Sequence, residues 1–128
     1  MYNRVQKKIT GQSEVTMANK LYKPILIDSI KAGENLEKQR FIGFDGKTCT
    51  AGAKALGVCD VETEKGQYAP VGVIGIFLIE AGGNITAGDE VASDSNGRAV
   101  TVARTELPNG FALDSAEEGD VIRIVRGI

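Results

Sequence analysis

The chain has 128 residues, 42% of them hydrophobic and 16 of them glycine, enough to bury the core of one turn-rich domain. Its net charge is -2 with 25% charged residues and no histidine, which argues against a broadly basic nucleic-acid face and removes His-based triads, His general bases and His-ligated metals. Charge is unevenly spread: residues 1–24 carry five basic groups and one acid, a net of +4, whereas the remainder carries 10 basic and 16 acidic groups, a net of −6.

In chain order, residues 1–21 read as an N-terminal arm. Charges without a following apolar run argue against a signal peptide. The longest apolar run, Val71 to Ile79, is too short for a membrane-crossing helix, so a soluble chain made and used without export is expected, with no membrane partner. Arg4, Lys7 and Lys8 have only Tyr2 as an aromatic neighbour, a weak signature for nucleic acid, and no nucleic-acid partner is expected. Val5, Ile9, Val15 and Met17 lie among polar residues, a pattern able to add as a strand to a partner's sheet edge. Arg4, Lys7, Lys8, Ile9 and Val15 are therefore the candidate partner contacts.

The body, residues 22–128, reads as one all-β domain. Strand-like runs occupy 21–30, 40–44, 55–61, 68–80, 89–93, 98–103, 109–114 and 120–127, separated by turn residues. Asp45-Gly46 and Asn96-Gly97 are dipeptides suited to tight hairpins. Helical periodicity is weak, and allows at most short helical turns near 49–56 or 115–119. Many short strands point to a small β-barrel or β-sandwich.

Four landmarks recur in order. Ile30-Lys31-Ala32-Gly33-Glu34 matches Ile85-Thr86-Ala87-Gly88-Asp89, and Asp45-Gly46-Lys47 matches Asn96-Gly97-Arg98. Gly57-Val58-Cys59 matches Gly110-Phe111-Ala112, and Gly66 matches Gly119, each with a glutamate two residues earlier. The order predicts two repeated β units, at about 30–76 and 85–127, facing each other around one core.

Residues that could carry chemistry have plainer readings. Taking Gly97 as the glycine of a calcium loop puts Asp94 and Asn96 at ligand positions, but Ala92 and Ala103 stand at the two end positions. The 81–84 segment AGGN lacks a helix start behind it, so a phosphate nest is not expected. Glu62, Glu64, Glu117 and Glu118 read as solvated turns. No Walker or dinucleotide-binding loop occurs. Cys49 and Cys59 are too few for a zinc site or a disulfide framework; they read as buried thiols, with a single disulfide the other option. No catalytic, cofactor-binding or metal-binding residue is assigned, no cofactor is expected, and the chain does not read as an enzyme.

The glycine and turn pattern, Gly57-Val58 before Gly66, the Ile85–Asp89 turn, Asn96-Gly97, and Gly110 with Ala112 ahead of Gly119-Asp120-Val121, resembles the tailed-phage capsid cement, or decoration, proteins. The resemblance covers roughly residues 22–127. It implies a β-rich structural virion protein on the outer surface of a phage head, a homotrimer that binds the major capsid protein and stabilises contacts between its subunits. It also implies assembly in the bacterial host cytoplasm and an arm that orders on the capsid. The competing expectation is a β-clip-type carbohydrate- or ligand-binding module, which calls for a concave pocket with convergent polar side chains.

Overall fold

β-branched and aromatic residues in short runs, each stopped by glycine or an Asx turn, leave the chain few options except strands. The computed structural model describes residues 22–128 and forms eight of them: β1 (Lys23–Lys31), β2 (Arg40–Ile42), β3 (Gly57–Cys59), β4 (Tyr68–Glu80), β5 (Glu90–Ser93), β6 (Ala99–Thr101), β7 (Gly110–Ala112) and β8 (Val121–Arg126). Each falls within, or within a residue of, a run expected from the sequence. Segments 49–56 and 115–119 form turns and bends with no helix.

All strand pairs are antiparallel, in the order β2-β3-β4-β8-β7-β5-β6, with β1 on the opposite edge of β4. The far ends of this sheet meet. Gly82 N–H donates to Ala99 O (2.7 Å) and Phe41 N–H to Gly97 O (2.7 Å), so the sheet nearly closes as a barrel.

The 13-residue β4 holds the fold together because it serves twice. Its first half pairs with β1 (Ile30 opposite Ala69, Asp28 opposite Val71), and its second half pairs with β8 (Ile79 opposite Ile122, Phe77 opposite Ile124). The second set repeats the first, displaced by 49 residues on one strand and 53 on the other. Gly75 makes the changeover possible. It adopts φ 131°, and a Cβ there would stand 2.5 Å from Lys23 O, so only glycine lets β1 cross so closely at the bulge.

The repetition continues through the units. Val58 lies opposite Gly72 and Cys59 opposite Val71, as Phe111 lies opposite Val125 and Ala112 opposite Ile124. Leu36 and Thr63 exchange two backbone hydrogen bonds, as do Ile85 and Ala116. Two units are therefore present, but the first landmark is in a different register from the sequence expectation. Pairing sets Ile30 with Ile79, not with Ile85, and the matching segments are IKAGENL (30–36) and IEAGGNI (79–85). The turn Ile85–Asp89 corresponds to Leu36–Arg40, where Gln39 holds the positive φ that Gly88 holds in the second copy.

Packing follows the same logic. Ala32, Leu36, Ile42, Cys59, Ala69 and Val71 form one buried cluster; their counterparts Ala81, Ile85, Val91, Ala112, Ile122 and Ile124 sit in the other. The second cluster also contains Phe41, Cys49, Val58 and Phe77, and so extends across the boundary between the units. Tyr22 packs edge-on against Phe77, ring centroids 5.9 Å apart. Burial, with Asp60 adding to it, pushes the Tyr22 hydroxyl up to about 12.

Candidate interaction surface

The residues between strands show what the carboxylates do. Asp94 Oδ1 accepts from the backbone N–H of Asn96 and Arg98, both at 2.8 Å, and Asp89 Oδ2 accepts from Thr86 N–H (3.0 Å) and Thr101 Oγ1 (3.1 Å). Asp120 Oδ2 accepts from Glu117 N–H in the equivalent acidic turn. These side chains close turns of the Asx type and take up the very groups that a cation site would use. Among the described residues no group of three or more Cys, Asp or Glu is arranged to hold a metal.

At the junction of the two units lies a polar cleft of about 540 Å³, lined by Glu34, Asn35, Glu37, Arg40, Thr48, Ser95, Asn96 and Arg98. Glu80, the last residue of β4, bridges it: Arg40 of the first unit donates to Glu80 Oε1 (3.1 Å) and Arg98 of the second to Glu80 Oε2 (3.4 Å). Arg40 also meets Glu37 at 2.9 Å, and Arg98 meets Asp94 at 3.2 Å and Glu118 at 3.4 Å. Burial works against the charge of Arg98, but the hydrogen bonds it donates to Asp94 and Glu80 outweigh it and raise its pKa above the ordinary value. Glu34 and Asn35 are committed too, accepting from Thr48 N–H and Lys65 N–H. The cleft is a clamp in which both arginines are held among carboxylates, and no aromatic ring lines it.

A second clamp joins the loop before β3 to the second unit. Asn109, buried, accepts from Ala55 N–H (2.9 Å) and donates to Ala53 O (3.1 Å). The buried Arg126 guanidinium donates to Leu56 O and Ala55 O, and burial pushes its pKa below the ordinary arginine value. Cys49 and Cys59 are both free and buried, and burial pushes both thiols up, away from the reactive thiolate.

The surface is otherwise notable for β1. Its first seven residues, Lys23 to Ser29, are all exposed, including Ile25 at 80%, Leu26 at 47% and Ile27 at 45%. Among the described residues nothing pairs with its outer edge. The sequence picks out β1 only as a strand; that it stays uncovered depends on tertiary pairing. The contact candidates Arg4, Lys7, Lys8, Ile9 and Val15 lie outside the described residues, so the structure brings none of them to a site.

Among the described residues the fold is thus a small double-unit β-barrel with paired charges, carboxylates engaged in turns and one exposed apolar strand. The sequence profile of the phage cement proteins matches residues 23–128, and the chain belongs to that family of structural phage proteins. No curated protein matches it. Among solved structures it is similar to the head fiber gp8.5 N base of bacteriophage phi29, with a TM-score of 0.67 and 19% identity over 80% of this chain and 93% of that one. At that identity the likeness concerns the fold.

Proposed function

We propose that the protein is a capsid decoration protein that binds the outer surface of a phage head and stabilises contacts between major capsid subunits. Membership of the phage cement family carries this reading. It is supported by a body in which Glu80, Asn109 and Arg126 are engaged in holding the two units together. The similar phi29 protein is itself described as part of a head fiber. In this proposal the protein is a homotrimer that assembles in the host cytoplasm, and three weak contacts made together supply an avidity that one would not. The arm, net +4 over residues 1–24 against −6 for the rest, supplies the capsid contact through Arg4, Lys7, Lys8, Ile9 and Val15.

The β-clip-type ligand-binding reading needs convergent polar groups free to meet a ligand. The cleft between the units offers mostly groups already paired with each other, and no aromatic face for a sugar to stack on. The experiment is co-sedimentation with undecorated heads, for the full chain and for a chain lacking residues 1–20. The full chain is expected to sediment with the heads and the shortened chain to lose most of its occupancy. Equal occupancy removes the arm from the mechanism, and no binding by the full chain removes the proposal.

A further inference from the structure

The two units are built alike, so a position filled in one and empty in the other shows what the empty place fits. β4 lies against β8 in the second unit as β1 lies against β4 in the first, with Ile79 opposite Ile122 matching Ile30 opposite Ala69. The outer edge of β4 is covered, because β1 itself lies there, Pro24 opposite Gly75 and Lys23 opposite Ile76. The equivalent outer edge of β1 has no strand on it among the described residues. The element already fitted to such an edge is a strand of this same chain.

The side chains agree with the backbone. Ile25, Leu26 and Ile27 project from β1, and beside them lies a hollow of about 380 Å³ lined by Ile25, Ile74, Ile76, Val125 and Gly127. The same small area thus carries both projecting isoleucines and an apolar recess. Lys23 and Arg126 line that hollow and no acidic side chain does, whereas residues 25–128 carry a net −6. The face is therefore complementary in charge to the acidic body of a second copy. A long edge strand with bare apolar side chains is a pairing template that a partner can cover.

We propose that the outer edge of β1, with Ile25, Leu26, Ile27 and the adjoining hollow, is the contact between subunits, and that its occupant is a second copy of this chain. This rests on the decoration reading only for the number of copies, three. Burying Ile25, Leu26 and Ile27 against the neighbouring copy supplies the apolar driving force, and copies arranged head to tail about a closed three-fold axis leave no free β1 edge to propagate a fibre.

The test is sedimentation equilibrium of the full-length protein, the double variant Ile25→Lys, Ile27→Lys, and a control, Val61→Lys, at a similarly exposed residue in the turn after β3. Both altered positions are exposed in the single chain, so the double variant is expected to keep the wild-type far-ultraviolet circular-dichroism spectrum while melting lower by the loss of the contact. The wild type and control are expected to sediment at three times the chain mass, and the double variant as a monomer, its dissociation constant raised at least about tenfold, the equivalent of ~1.4 kcal/mol. A monomeric wild type, or a double variant that keeps the wild-type mass, overturns the proposal. A double variant that keeps its mass but loses head occupancy assigns the surface to the head shell instead. An assembled wild type that ignores heads leaves this contact standing and sinks the decoration reading.

Discussion

The two halves of the barrel share a pairing scheme yet live in different surroundings. In the second unit the opening strand is the end of β4, and its Phe77 is 1% exposed in the core; in the first the opening strand is β1, and the residue in the same place is the exposed Asp28. The backbone positions are equivalent, and burial differs because Phe77 packs into the core cluster that spans both units while Asp28 lies on the exposed stretch of β1. Residue type tracks the neighbours a strand acquires rather than its place in the repeat.

The widest gap between the halves is expected from Phe77→Ala set against Asp28→Ala. Removing the Phe77 ring leaves a cavity between the units and is expected to cost about 3–5 kcal/mol in denaturant unfolding, while Asp28→Ala stays within about 0.5 kcal/mol. Similar losses at both positions would show that Asp28 contributes more than its exposed place on β1 supplies.

A second pair of substitutions is expected to differ in sign. Gly88 has φ 95°, and a Cβ added there would meet nothing within 4 Å, so Gly88→Ala encounters backbone strain alone and is expected to lose about 1 kcal/mol. Gln39 occupies the same turn position in the first unit at φ 61°, and Gln39→Gly is expected to raise the melting temperature. Matching losses at both would mean that Gln39 contributes something besides its backbone.

The smallest effect concerns Asp114, which has no counterpart carboxylate in the first unit, where Val61 stands. Arg123 donates to it at 2.7 and 3.0 Å, and this hydrogen bonding holds the Asp114 carboxyl below its ordinary value. A depressed pKa stabilises the folded state above the ordinary aspartate range, and that contribution is lost as pH falls through the depressed value. Asp114→Asn is therefore expected to cost less than about 1 kcal/mol at neutral pH, because the pair is partly exposed, and nothing in acid. Melting curves of both proteins across that range should converge; a constant gap would place the effect in packing instead.

Much of the fold is legible in the residues. The alternation in VIRIVR, the Asp-Gly and Asn-Gly turns, and the lack of helical periodicity mark eight strands, and the recurrence of G-x-small before an acidic turn marks two units. The register of the first landmark is not legible, since I-x-A-G occurs at 30–33, 79–82 and 85–88. A four-residue turn signal specifies local dihedral angles, and any of the three satisfies it. The interaction surface is legible only as a strand, for Ile25, Leu26 and Ile27 look like core residues until their neighbours are known.

The all-β class, the hairpins, the duplication and the separate charge of the arm are written in the residues themselves, because they depend on local propensity and on groups near one another in the chain. Only tertiary pairing makes β4 a member of both units, ties Arg40 to Arg98 through Glu80, and leaves β1 without a second neighbour among the described residues. Those outcomes depend on which edges meet across long stretches of chain, and such meetings are settled by hydrogen-bond pairing and burial rather than by local pattern.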